Sequence, residues 1–283
     1  MSPSLPPIGC HVSVSGGLSQ AVERAVSRGC ECVQIFSTSP RAWKHQNHLP
    51  NEVSLFRSGM ADKGIKPIIV HAIYLLNLSS DQTLLRERSM KHLGETLRWA
   101  GLLGASTVII HTGHCAADTM KEGLKRASRC IRSVMADAPK DVTLSLEMSS
   151  GGTTAVGTAD HFRQILELTN GHPRLRFWLD TAHAFGAGYN LCIKDGVENL
   201  VDDFRKAVGL KLVSGLHSND SKADCGTLLD RHENIGQGKI GLAGFRLIVA
   251  DPFLKTLPFI AEIPGFDQSG PDKKNLDILK RLR

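Results

Sequence analysis

The sequence predicts an α/β chain folded as one closed (β/α)₈ barrel. Three observations carry this: eight short apolar, β-branched runs, longer segments of helical period between them, and no linker or abrupt charge shift dividing the 283 residues. One barrel of this kind typically takes about 250 residues. An open doubly wound sheet is the competing arrangement, but every crossover is long enough to hold a helix and nothing marks a second unit. Residues 1–283 are therefore expected to form a single domain.

The first run is IGCHVS (8–13), followed by the amphipathic LSQAVERAVSRG (18–29) and then CVQIFS (32–37). The third, PIIVHA (67–72), leads into the long helical pattern of 81–104, and TVIIHTG (107–113) into that of 119–137. VTLSLEM (142–148) precedes ADHFRQILELTN (159–170), and FWLDTA (177–182) precedes VENLVDDFRKAVG (197–209). VSGLHSN (213–219) and PFIAEIP (258–264) complete the eight. Alternation of short β-like and longer helical patterns is the mark of a parallel sheet with covering helices.

Composition narrows the class. A hydrophobic fraction of 41% with 22% charged residues supplies a sizeable core and argues against disorder. The start, MSPSLPPIGCHVS, lacks a charged, apolar leader, and no stretch approaches the roughly 18 apolar residues of a membrane span, so no membrane association and a cytoplasmic location are expected. The 7 cysteines form no CxxC pair or regular framework and read as structural thiols of a reducing compartment. A net charge of +6 and a pI near 9.0 suit a polyanionic partner, because basic side chains displace condensed counterions from nucleic acid.

Strand after strand finishes on a metal-capable side chain: His11, His71, His111, Glu147, Asp180, His217 and Glu262. In a barrel those ends share one rim, where active sites of this architecture lie. A single strand-end histidine is more often structural than a ligand. Seven in register would leave buried donors and unpaired carboxylates, each costing about 1–3 kcal/mol or more, unless cations pair them. Asp180 with His183, and Asp230 with His232, extend the set. Five histidines (His71, His111, His183, His217, His232) and four carboxylates (Glu147, Asp180, Asp230, Glu262) exceed the needs of one tetrahedral zinc. With one bridging carboxylate they would serve three ions. Mixed imidazole and carboxylate ligands favour zinc, with manganese or iron also compatible, over magnesium or calcium.

Two stretches are the most specific: LDTAHAFGAGYN, and GLHSNDSK followed by DRHENIGQGKIG. They resemble the D-T-x-H-A-F-A-A-G-Y-D, H-x-N-D-S/A-K and D-R-H-x-x-I-G-x-G-x-I-G segments of endonuclease IV, the apurinic/apyrimidinic endonuclease family. The likeness runs from GCHVSVSGGL to IAEIPG, nearly the whole chain. It implies a TIM-barrel AP endonuclease carrying three divalent metals. Glu147 would bridge two ions and serve as the catalytic carboxylate, the first ion also held by His71 and His111, the second by Asp180, His217 and Glu262. His183, Asp230 and His232 would hold the third. The resemblance also assigns Arg41, Tyr74 and Leu75 to loops that enter DNA and hold it bent. The bland alternative for Tyr74 and its neighbour Trp43 is packing at a loop base.

The chain departs from the family pattern in three loops. FSTSPRAW puts Thr38 and Ser39 where relatives carry a lysine and an asparagine; HTGHC moves the second histidine to His114; EMSSGGTT puts Met148 in place of an amide beside the bridging carboxylate. Loss of such a supporting group can cost 10–100-fold in metal affinity or activity.

The implied reaction is hydrolysis of double-stranded DNA on the 5′ side of an abasic site, giving a 3′-hydroxyl and a 5′-deoxyribose phosphate, by a monomer without an obligate protein partner. An abasic nucleotide lacks stacking and is cheap to flip, so a shaped pocket can select it. The rival is a sugar isomerase or epimerase on a related barrel with one or two metals; a metal-stabilised DNA-binding protein without catalysis is the third reading.

Overall fold

The structure, a computed structural model, describes residues 5–45 and 47–283. Strands β1 (Ile8–His11), β2 (Val33–Phe36), β3 (Ile68–His71), β4 (Thr107–Ile110), β5 (Thr143–Glu147), β6 (Leu175–Asp180) and β7 (Val213–His217) stand side by side in parallel. A small antiparallel pair follows, β8 (Asp220–Ser221) with β9 (His232–Glu233). Strand β10 (Phe259–Ala261) then pairs with both β7 and β1 and closes an eight-stranded barrel.

Outside lie α1 (Leu18–Ser27), α2 (Pro50–Asp62), α3 (Thr83–Leu103), α4 (Met120–Asp137), α5 (Ala159–Leu168), α6 (Thr181–Gly186), α7 (Lys194–Ala207), α8 (Gly241–Ala250) and α9 (Lys273–Leu282). Each of the eight runs read from the sequence overlaps a barrel strand, and each amphipathic stretch named above overlaps a helix, α7 beginning three residues earlier than its stretch. The sixth strand is displaced: it begins earlier, at Leu175, and stops at Asp180 because that carboxylate caps α6, accepting from the His183 amide at 2.9 Å. Thr158 and Asp272 cap α5 and α9 in the same way, and Gly104 ends α3 in the left-handed conformation at φ 73°. Among the described residues no helix is long and apolar enough to cross a membrane.

Two separate apolar regions hold the barrel. The larger lies between strands and helices; the smaller, formed by Cys32, Ile69, Ile109, Trp178 and Ile260, is buried inside the ring. Successive strand residues point to opposite faces, so the residue two positions after each of these faces inward one layer higher. Those residues are Gln34, His71, His111, Asp180 and Glu262. The interior is thus apolar below and polar above. Trp178 spans the lower layer because Gly215 stands beside it on β7, where a Cβ would come within 2.0 Å of the indole. The upper layer is the site.

Candidate metal centre

The nine predicted metal ligands converge at the carboxyl end of the barrel in three groups. His71, His111 and Glu147 bring ligand atoms within 4.8 Å of one another, as do Glu147, Asp180, His217 and Glu262, and Asp180, His183 and His232. Asp230 joins the last group, 3.2 Å from His183 Nε2 and 3.0 Å from His232 Nε2. Glu147 is common to the first two groups. Asp180 reaches both the second and the third, its Oδ2 being 3.7 Å from His217 Nδ1 and 3.8 Å from His232 Nε2.

Local structure explains the spacings. Asp180 ends β6 and caps α6, which sets His183 one turn along and over the same rim. Asp230 and His232 lie on an extended segment with side chains on one side, as alternation dictates, and β9 pairs His232 with Ser221.

Most of the rings are held from behind. His71 Nδ1 lies 2.6 Å from the Ala72 carbonyl, His183 Nδ1 2.9 Å from that of Met148, and His232 Nδ1 2.9 Å from that of Glu262. A carbonyl can only accept, so each Nδ1 carries a proton and Nε2 is the atom turned to the cleft, where a cation would take its lone pair. His217 is reversed: its Nε2 faces Gln34 Oε1 at 2.8 Å, leaving Nδ1 towards Glu147 and Glu262. Such outer contacts orient imidazoles for metals. The Met148 departure leaves the anchor of His183 intact, since the backbone carbonyl supplies it, while the thioether offers Glu147 no N–H donor.

The charges fit cations. Glu147 is 1% exposed and Asp180 is fully buried, so uncompensated ionisation would be costly. Burial alone would raise the Glu147 carboxyl, but the His111 and His217 rings beside it outweigh burial and hold it well below the usual carboxylate range. Burial likewise opposes protonation of His232, yet the contact with Asp230 and the charge of Asp180 push it up to about 9. Its Nε2 is buried without a directed hydrogen bond. A divalent cation satisfies lone pairs and carboxylates together, so this donor set suits one.

The other residues expected at the site occupy its margin. Tyr74 is 53% exposed and Leu75 37%, unlike their buried neighbours Ile73 and Leu76. The Tyr74 amide donates to the Pro40 carbonyl at 3.2 Å, tying this loop to the one bearing exposed Arg41. Thr38 turns inward, its hydroxyl on the Lys44 carbonyl at 2.8 Å. His114 is exposed outside the three groups, its backbone bridged to Ala155. His11 sits on the rim, and burial lowers its pKa to about 4.

Four residues escaped the sequence reading. Gln34 contacts His217, Glu262 and His11. Asn219 donates to Asp180 Oδ2 at 2.7 Å and accepts from the Glu262 amide at 2.8 Å. Lys222 and Arg231 line the cleft of about 400 Å³ with Tyr74, His111, Glu147 and Asp230. Asn219, Lys222 and Arg231 flank ligands within the two motif stretches; for Gln34, a polar residue inside an apolar strand was the available signal. A larger cavity of about 640 Å³ beside α7 is lined by Tyr189, Asp195 and Asp203 but contains none of the nine ligands.

The family model described as Xylose isomerase-like TIM barrel matches residues 22–282. A Probable endonuclease 4 from Methanoculleus marisnigri is 37% identical over 277 residues, covering 97% of this chain and 98% of the relative. The crystal structure of endonuclease IV from Thermus thermophilus superposes with a TM-score of 0.82 at 35% identity, covering 98% of each chain. A D-psicose 3-epimerase structure reaches a TM-score of 0.67 at 15% identity, over 96% of this chain and 89% of its own, a likeness of fold. Similarity at this level along almost the entire sequence, joined to the rim geometry, shows that the chain belongs to the endonuclease IV family.

Proposed function

We propose that the chain is a metal-dependent endonuclease that hydrolyses double-stranded DNA 5′ to an abasic site, leaving a 3′-hydroxyl and a 5′-deoxyribose phosphate. The observation carrying this reading is the convergence of three ligand groups, two linked through Glu147 and two through Asp180, at an open cleft that Lys222 and Arg231 also line. Relatives named endonuclease 4 support it.

His71, His111 and Glu147 would hold one divalent ion; Glu147, Asp180, His217 and Glu262 a second; His183, Asp230 and His232 a third. Zinc is the first choice for this mixture of imidazole and carboxylate, with manganese or iron compatible. Bound cations supply Lewis acidity, polarising the phosphoryl oxygens and acidifying water at neutral pH. Glu147 aligns the attacking water through its carboxylate. Lys222 and Arg231 neutralise the backbone phosphate at the mouth. Arg41, Tyr74 and Leu75 enter the duplex beside the lesion and hold it bent, Tyr74 supplying a flat ring over the cleft. The chain is expected to act as a monomer without an obligate protein partner.

The test is incubation with a duplex carrying one abasic analogue, with and without chelator. A single metal-dependent cut with a 3′-hydroxyl is expected; an intact duplex in the presence of fully metal-loaded protein overturns the proposal. Epimerase barrels share the fold, but the His183, Asp230 and His232 group adds ligands beyond the one or two ions of that reading. Elemental analysis separates the two, three metals per chain against one or two.

A further inference from the structure

We infer that Asp220 is a positioning residue for the third ligand group, its carboxylate folding the loop that carries Asp230 and His232. The inference rests on the proposed three-metal site. Asp220 is fully buried and touches none of the three groups. Its Oδ1 accepts from the amides of Ser221 at 2.8 Å, Ile240 at 3.0 Å and Gly241 at 3.3 Å. Its Oδ2 accepts from those of Gly236 at 2.9 Å, Gly238 at 3.0 Å and Gly241 at 3.2 Å. Five amides therefore surround one carboxylate from both ends of the intervening loop.

The consequence for His232 is geometric. Ser221, whose amide is one of the five, pairs with His232 across β8 and β9, and the next residue, Lys222, donates to the Arg231 carbonyl at 2.8 Å. On the far side the Lys239 amide donates to the Ser221 carbonyl at 2.7 Å. The segment bearing Asp230 and His232 is thus pinned before and after by backbone that Asp220 gathers. Both oxygens face N–H donors, which is the arrangement that receives an anion. Burial leaves the carboxyl raised, the amides of Ser221, Gly238, Gly241 and Gly236 offsetting only part of the rise.

Two motif stretches become one device on this account. The N-D-S-K segment supplies the acceptor and one donor, and the I-G-x-G-x-I-G segment the other four. Gly238 is required by space: a Cβ there would meet Ser221 O at 2.4 Å and Asp220 Oδ1 at 2.5 Å.

The experiment loads purified full-length protein with zinc, removes free metal by gel filtration and counts zinc per chain, with far-UV circular dichroism monitoring the barrel. Wild type is expected to retain three. Asp220→Asn, which turns an amide donor towards the N–H groups, and Gly238→Ala, which crowds the carboxylate, are each expected to retain two. In zinc titrations the third site weakens at least about tenfold while the other two are unchanged. A double variant, Asp220→Asn with His232→Ala, should hold as much zinc as His232→Ala alone, because Asp220 acts through that site. Retention of three zinc ions by either folded single variant overturns the inference, as does further loss in the double variant, which would mark a general structural role. A wild type holding fewer than three defeats the three-metal reading itself, and that arm alone distinguishes the two failures.

Discussion

Gln34 Oε1 lies 2.8 Å from His217 Nε2, while the same amide donates through Nε2 to Glu262. The carboxylate contact fixes which end of the amide is nitrogen, and the oxygen then requires a proton on His217 Nε2. His217 Nδ1 is thereby the ring atom turned to Glu147, at 2.9 Å, and the one through which the ring would bind a cation. Substitution Gln34→Leu removes the anchor without touching a ligand. Metal affinity of the second group should fall about 10–100-fold, measured by competition with a chromophoric chelator. Unchanged affinity would show that His217 needs no support from β2.

Glu147 touches His71, His217 and His111 at 3.0, 2.9 and 3.5 Å, so the first and second ligand sets both depend on it. Glu147→Gln should nearly abolish cleavage of an abasic duplex while leaving the circular dichroism spectrum unchanged. Near-full turnover by the purified, metal-loaded variant would remove this carboxylate from the mechanism.

Lys222 and Arg231 are both exposed at the cleft mouth. If each meets a phosphate, its replacement by alanine should weaken duplex binding irrespective of sequence and reduce the slope of log K against log salt by about 1. Binding measured across a salt series decides, and a parallel line with the wild-type slope excludes phosphate contact for that residue.

Glu31 joins the base of the barrel to the chain end through Arg283, at 2.6 and 2.7 Å, and accepts from the Ile8 amide at 2.9 Å. Partial burial would raise its carboxyl, but the Arg283 guanidinium and the Ile8 N–H together lower it below the ordinary value. A depressed folded-state pKa contributes stability above the unfolded value near 4.5, lost as acid titrates the folded carboxylate. Melting temperature followed from about pH 6 down to about pH 3 should drop less steeply for Glu31→Gln than for wild type. Identical acid limbs would assign the loss to other groups.

Much of this site is legible in the sequence. Period-two strands set side chains on alternate faces, so His71, Glu147, Asp180 and His217 at strand ends had to share a rim once the barrel closed. Asp180 and His183 were readable as a pair because a cap and the residue three positions on occupy one helical turn. Helix α8 was not singled out, because GLAGFRLIVA is apolar almost throughout and shows no polar face. Helix α2 has a weakly periodic sequence. Gln34 and Asn219 were invisible for another reason: their roles depend on partners such as Glu262 and Asp180, far away in sequence, and an amide carries no mark of what it will meet. Met148 has two separate roles: its carbonyl, which no substitution removes, holds His183, whereas its thioether has no N–H to offer the bridging carboxylate in place of an amide.

Trp178 and the isoleucines beneath the rim make the barrel a cul-de-sac. Among the described residues the cleft above the ligands is open, and nucleic acid would cover it. A bound duplex therefore corks the vessel, and loaded protein saturated with a non-cleavable duplex should surrender its zinc to a chelator more slowly than free protein. The indole that plugs the lower layer would thereby couple metal retention to engagement of DNA.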